Sequence, residues 1–303
     1  MRNEQSITDR LRALSVIPSS SPLVLGIGDD CAIYRPRGSA DDLLFTTDLF
    51  VEGAHFLRET HKPAEVARKA LTRSLSDIAA MGGSPRFCLV SLCVPKWATP
   101  AWLDKFFVAL NAAASASEAF LAGGDLSHGE ILVCDVTVCG AVPRGTALRR
   151  DGARPGHEIY ISGKPGGSAL GLQQGKGKAW KRHLNPEARL GLGAYIRQKL
   201  RATAAIDISD GISLDLRRLC LASGVAAEIT DPPRFPGASP EQALHGGEEY
   251  ELLFTVRPGT RVPSFFEGLP LTKIGVIAKG APGEVRHNGN LLPALGYDHF
   301  QTK

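Results

Sequence analysis

The sequence predicts an α+β first half, built on a mixed and mainly antiparallel sheet, followed by a second domain. Three observations carry this prediction. Strand-like apolar runs alternate with two long helical segments up to residue 142. A stretch dominated by proline, glycine and arginine, PRGTALRRDGARPG, breaks the pattern near 143–155. The chain's 303 residues allow one large domain or two of medium size, and the break favours two, 1–145 and 146–303.

The elements follow in order. Ile7, Leu11 and Leu14 are spaced for one face of a short helix within 1–17. LVLGIGDDCAIY reads as strand, tight turn and strand, and LLFTTDLF at 43–50 as another strand. Pro63 to Met81 is a helix: Pro63 suits a first turn, Val66, Ala70, Leu71, Leu75, Ile78 and Ala79 form an apolar face, and Gly82-Gly83 stops it. FCLVSLCVP at 87–95 is a strand closed by proline. An alanine-rich helix runs from Thr99-Pro100 to about Phe120, LAGGD at 121–125 follows, and ILVCDVTVCGAV at 131–142 is a strand. Beyond the break, 158–162, 204–209, 250–256 and 272–278 read as strands, and 187–200 and 214–223 as helices. The glycine-rich stretch 163–186 mixes loop and short helix. Four prolines in 231–240 exclude regular structure there, and the tail reads as irregular.

Bulk composition removes several function classes. Thirty-five Lys and Arg against thirty-one Asp and Glu give a formal charge of +4, spread without a basic block and with only 7% aromatics, which argues against a nucleic-acid groove. No apolar run reaches the roughly 18–20 residues that cross a bilayer, and the polar start MRNEQSITDRLRAL lacks a signal core. A cytoplasmic protein with no membrane partner is expected. Cys88/Cys93 and Cys134/Cys139 each lie five apart in strand-like runs, so their side chains point to opposite faces; buried free thiols are expected.

The unusual feature is 33 glycines, many beside carboxylates in the breaks between apolar segments. Asp29 and Asp30 lie in GIGDD, Asp48 in TTD, Asp77 in SLSDIAAMGG, Asp125 in GGD, Asp207 and Asp210 in DISDG, and Glu248 and Glu249 in GGEEYE. Each cluster alone could be a turn. Asp77, however, falls within an apolar helical stretch, where an unpaired carboxylate is costly and a divalent cation is one possible partner. Hard oxygen ligands favour magnesium or manganese over zinc. Glycines let backbone N–H groups approach phosphate closely. There is no GxxxxGK[ST] loop, HRD, DFG or HExxH, so any use of ATP follows another design.

The ordered set GIGDDCA (26–32), TTD (46–48), VEGAHF (51–56), SLSDIAAMGG (74–83), GGD (123–125), IDISDG (206–211), GGEEYELLFT (246–255) and GYDHF (296–300), with KRHLNP (181–186), resembles the thiamine-monophosphate kinases. These share a fold superfamily with aminoimidazole ribonucleotide synthetase and selenophosphate synthetase. The resemblance implies a PurM-like two-domain architecture, with a dimer-forming α+β N-terminal domain and an α/β C-terminal domain. It implies transfer of the γ-phosphoryl of ATP to thiamine monophosphate, several Mg2+ ions and a homodimer. By similarity, Asp30, Thr47, Asp48, Asp77, Asp125, Asp207 and Asp210 hold metal, with Asp29 adjacent. Thr46, Gly124, Asp125, Arg149 and Ser209 meet nucleotide phosphates or their metal. Asp77, Asp210 and Arg149 serve catalysis, and His55, Glu248 and Tyr297 surround the acceptor.

Two departures from the family pattern stand out: Leu126 where a hydroxyl often follows GGD, and Glu249 where aspartate is common. The segment between IDISDG and GGEEYE is also short. Rival readings are another ATP-dependent phosphotransferase or synthetase of the superfamily, and a non-catalytic nucleotide-binding module. Residues 1–25 hold neither the cysteine nor the lysine that selenophosphate synthetases use, and the full acidic set disfavours a mere binding module.

Overall fold

The computed structural model of the chain describes residues 4–15 and 17–300. The first half runs α1 (Glu4–Leu14), β1 (Leu23–Leu25), β2 (Ala32–Tyr34), β3 (Asp41–Val51), α2 (Pro63–Ala80), β4 (Ser84–Val94), α3 (Pro100–Ala116), β5 (Phe120–His128) and β6 (Val133–Pro143). Its six strands form one sheet in the order β1-β2-β3-β6-β4-β5. Every pair is antiparallel except β4 with β5, which α3 connects as a crossover. One sheet face packs against α2 and α3 around Leu44, Phe50, Leu71, Ile78, Phe106, Leu110 and Val136.

The second half runs β7 (Glu158–Ser162), α4 (Gly167–Gln174), α5 (Gly177–Leu184), α6 (Leu190–Tyr195), β8 (Ala204–Ile208), α7 (Ile212–Ser223), β9 (Ala226–Ile229), α8 (Pro240–His245), β10 (Glu251–Val256), β11 (Phe265–Phe266), β12 (Leu269–Ala278), β13 (Val285–His287) and β14 (Asn290–Leu291). A second mixed sheet has the order β14-β13-β9-β12-β7-β10-β8, with β13 and β9 its parallel pair. α7 covers one face through Ile212, Leu216 and Leu219. The other face meets α6 and the far side of α2, where Ala79 and Ala80 pack with Leu192, Ile196, Ala205 and Phe254. Thus α2 belongs to both cores. A Cβ on Gly193 would stand 2.1 Å from the Ala79 carbonyl, so α6 crosses α2 at that distance only because residue 193 is glycine.

β5 is where the observed structure departs most from the pattern read in the sequence. α3 ends at Ala116, and Phe120, expected in the helix, opens a nine-residue strand that includes LAGGD. All nine residues are exposed, so the strand lacks the apolar alternation that announces one, and Gly123-Gly124 lowers its β-propensity. Gly124 fits because a Cβ there would lie 1.8 Å from the Val90 carbonyl of β4. The tail carries the small β13–β14 hairpin, and from 292 to 300 it is irregular as expected. Ser239 and Gln242 make a capping box, with Pro240 in the first turn, that opens α8 at the end of the proline-rich segment.

Candidate active site

The site begins with helical spacing on α2. Lys69, Arg73 and Asp77 recur every four residues and form one stripe along the helix. α2 is wedged between the two sheets, so the stripe faces a cleft of 1370 Å³ whose wall includes Asp48, His55, Arg73, Asp77, Arg150, Asp207, Ser209, Asp210, Glu248 and Tyr297. The helix is anchored at its start by Pro63 and by Glu65, whose carboxylate accepts the Lys62 N–H at 2.7 Å.

At one end of the stripe lie carboxylates. Asp30 follows the turn before β2, Asp77 comes from α2 and Asp207 from β8, and each offers an oxygen within 4.8 Å of the others. The Thr46 hydroxyl donates to Asp77, and the Ser76 hydroxyl donates to Asp207 at 2.6 Å. Burial, then the charges of Asp48, Asp207 and Asp30, raise the Asp77 carboxyl well above its ordinary range; burial and Asp30 do the same to Asp207. Burial and neighbouring Asp30 push Asp29 up to about 7. The Arg150 guanidinium donates to Asp30 at 2.5 Å, and its backbone N–H donates to Asp29 at 3.1 Å. Beside this cluster, the β8–α7 turn carries Ser209 and Asp210. The Asp215 carboxylate accepts the N–H groups of Asp210 and Gly211 at 3.0 Å each, and Arg218 donates to Asp210 at 2.5 Å. This buried to half-buried set consists of hard oxygen donors held at close range against their mutual repulsion, which suits magnesium.

At the other end, the fully buried Lys69 ammonium donates to Glu248 at 3.0 Å, with the His183 ring 3.2 Å away. One Glu248 oxygen and the His55 Nε2 are buried without a partner among the described residues. The Val51 N–H donates to His55 Nδ1 at 3.0 Å, and burial with the Arg73 charge holds this imidazole down to about 3. His55 is therefore neutral with its proton on Nε2, a donor without a partner. Tyr297 lines the same end: its N–H donates to the Asp210 carbonyl at 3.1 Å, and its ring meets His299, which in turn meets His55. The end combines an acidic acceptor, a neutral donor and aromatic faces, a set suited to an organic cation bearing N–H groups.

Other residues singled out in the sequence lie elsewhere. Alternation along β3 puts Thr46 and Asp48 on the cleft face and Thr47 on the opposite one, where its hydroxyl donates to Asp135 and lies 3.1 Å from that of Thr137. Gly124 and Asp125 sit on β5, three strand positions from β3 in the sheet and so about 14 Å away. Arg149 pairs with Asp151 and lines a separate hollow with Arg197 and Arg201; the neighbouring Arg150 enters the acid cluster instead. Lys69, Arg73, Arg150 and His183 were not singled out in the sequence. The four-residue spacing of Lys69, Arg73 and Asp77 was available as a signal, whereas Arg149 and Arg150 could not be told apart without the backbone direction.

The two departures also find their places. Glu249 is buried outside the cleft and accepts the Gly166 and Ser168 N–H groups at 2.9 and 2.8 Å, at the start of α4. Part of the glycine-rich 163–177 stretch is thereby explained: Gly166 has φ +93° at the helix entrance, and a Cβ there would lie 2.8 Å from that of Ala238. Leu126 is 66% exposed on β5.

Comparison with known proteins agrees with this architecture. Residues 28–142 match the family of AIR synthase related proteins, N-terminal domain. The thiamine-monophosphate kinase of Escherichia coli (strain K12) is 37% identical over 97% of this chain and 96% of its own length; that of Bacillus subtilis (strain 168) is 33% identical over 93% and 95%. The solved AaThiL complex with AMPPCP and TMP superposes with a TM-score of 0.86 at 31% identity, covering 99% of both chains. The identity holds over nearly the whole length of this chain and of these relatives, and on it the chain belongs to the thiamine-monophosphate kinase family.

Proposed function

We propose that the protein transfers the γ-phosphoryl of ATP to thiamine monophosphate, giving thiamine diphosphate and ADP. The observation that carries this reading is one continuous cleft with two chemistries: clustered carboxylates at one end, and the Glu248–His55–Tyr297 set at the other. Near-full-length similarity to thiamine-monophosphate kinases supports it. The test is conversion of thiamine monophosphate to the diphosphate by the purified chain with ATP and Mg2+, followed by chromatography. Thiamine, aminoimidazole precursors and selenide serve as competing acceptors. ATP binding without any diphosphate product would overturn the reading.

The acceptor phosphate is already ionised near neutral pH, so the chain need not supply a strong base. Its work is alignment and charge compensation. Asp30, Asp48, Asp77, Asp207 and Asp210 would hold Mg2+, with the Thr46 hydroxyl orienting Asp77. Bound there, magnesium supplies neutralisation of phosphate charge. Arg150 fixes Asp30, Arg218 fixes Asp210, and Lys69 keeps Glu248 ionised toward the acceptor.

The carboxyl shifts give this site a pH signature. An aspartate titrates near 3.9 when unfolded, and Asp77 and Asp207 titrate well above that when folded. Between those values the native chain holds more protons than the unfolded one, so metal-free stability falls as pH rises through that window. Added Mg2+ is expected to raise the melting temperature more at pH 8 than at pH 5. Equal shifts at both, read by differential scanning fluorimetry, would count against this site.

A homodimer through β5 belongs to the same proposal. Among the described residues the outer edge of β5 has no sheet partner, and Phe120, Leu121 and Leu126 on it, with Phe87 and Leu89 of β4, are exposed. Such a dimer offers Gly124 and Asp125 a route to the cleft of a second copy. Leu126→Lys is expected to shift the species measured by light scattering toward monomer; an unchanged mass places the interface elsewhere. The two domains are proposed as 1–145 and 146–303. Among the described residues no helix is long and apolar enough to cross a membrane, and the six cysteines are free, which fits a reducing, cytoplasmic setting.

A further inference from the structure

We propose that Arg73 is the receptor for the phosphate that the acceptor already carries, and so sets the preference for a phosphorylated over an unphosphorylated acceptor. This rests on the reading that the acceptor is a phosphate monoester. Such an acceptor must bring its own phosphate to the boundary between the carboxylate end, where the donor phosphates are neutralised, and the end that holds its organic body. Arg73 occupies that boundary: it lies one turn from Asp77 and one turn from Lys69 on the same stripe, and it lines the cleft.

Its pairing is loose where that of its neighbours is tight. Arg150 and Arg218 are each held at 2.5 Å by Asp30 and Asp210. Arg73 lies 3.5 Å from Asp48 and 4.0 Å from Glu248, and donates to the Tyr250 hydroxyl oxygen at 3.2 Å. A guanidinium has five N–H donors. Tyr250 takes one on Nη1, Asp48 one on Nη2, and Nε is buried without a partner among the described residues. One N–H on each terminal nitrogen is left, which is the fork that grips phosphate in a bidentate contact. The side chain is 16% exposed, and its guanidinium carbon stands 6.0 Å from the centroid of the Phe50 ring, so the fork is held in place and partly shielded from water. A phosphate there would be shared between a fixed cation and whatever neutralises the carboxylate end, and would present an oxygen toward the group being transferred.

The test compares the wild-type chain with Arg73→Gln and Arg73→Lys by titration calorimetry, using thiamine monophosphate and thiamine as separate ligands, alongside KM values for ATP and for the monophosphate. Arg73→Gln is expected to weaken thiamine monophosphate binding by about 10–100-fold, the size of a lost charge-assisted contact. Thiamine affinity and the KM for ATP should stay within about twofold. Arg73→Lys restores part of the loss, since a lysine supplies charge without the fork. Equal weakening of both ligands in Arg73→Gln would mean that Arg73 merely braces Asp48 and Glu248, and would overturn the proposal, as would unchanged affinity for the monophosphate. Calorimetry keeps the two levels apart. A wild-type chain that binds the monophosphate through Arg73 yet forms no diphosphate refutes the proposed reaction and leaves the receptor standing. A wild-type chain that forms diphosphate, with the two ligands equally affected by Arg73→Gln, does the reverse.

Discussion

Asp77→Asn is expected to lower turnover by about 10²–10³-fold while leaving the metal-free chain at least as stable as before. The loss is the size seen when one preorganised electrostatic group is removed from a reacting centre. The stability result separates this from a folding defect. Asp77 is half-buried, with Asp48, Asp207 and Asp30 as the charges that raise its carboxyl, all of the same sign. An amide of equal shape removes that repulsion and still offers an oxygen to the Thr46 hydroxyl, which now donates to Asp77. In Mg2+ the order should reverse: the wild-type chain gains stability by binding the ion to its native state, and the variant gains less. An ADP-release assay and melting curves with and without Mg2+ read both. Unchanged turnover would remove Asp77 from the site; a lower metal-free melting temperature would make it structural.

Asp77 also shows what could be read in advance. A carboxylate within an apolar helical stretch is a local contradiction, and such contradictions concentrate where function overrides packing. Asp30, Asp48 and Asp207 stand instead in polar breaks, where each could be a turn and only the family resemblance implies a metal role, and their segments do converge on one cleft. Neighbouring residues are not ranked by such patterns. Thr46 and Thr47 differ by one residue, and only strand register decides which faces α2; Arg149 and Arg150 pose the same ambiguity at the domain break. β5 has no signature in the sequence because, among the described residues, it pairs with β4 alone and its own side chains face water, so nothing in its composition alternates. Glu249 illustrates the opposite case. It stands in the sequence as a departure from the family pattern beside Glu248, yet its side chain turns away to the start of α4, because a buried helix entrance needs an acceptor for its N–H groups.

Lys69→Met tests the other end of the cleft and is expected to have the second-largest effect. Methionine keeps most of the stem but removes the charge that the Glu248 carboxylate meets at 3.0 Å. Losing one partner of a buried pair costs about 3–5 kcal/mol; the lower figure is expected here, because Arg73 at 4.0 Å remains and the Glu248 side chain is 20% exposed. The informative part is what His183 does next. Its ring lies 3.2 Å from the Lys69 ammonium and 3.4 Å from Glu248, and burial together with the lysine charge holds it down to about 3. With the lysine gone, the repulsion disappears and the attraction of Glu248 remains, so the imidazole should take up a proton more readily. A histidine held below its unfolded value costs stability as pH falls through that value, because the unfolded chain takes up the proton first. The variant should therefore lose less stability between pH 8 and pH 5.5 than the wild-type chain does. With His183→Gln added to both chains that difference should vanish, because glutamine has no proton to gain. If Lys69→Met shows the same pH dependence as the wild-type chain, Glu248 does not rely on the lysine for its charge.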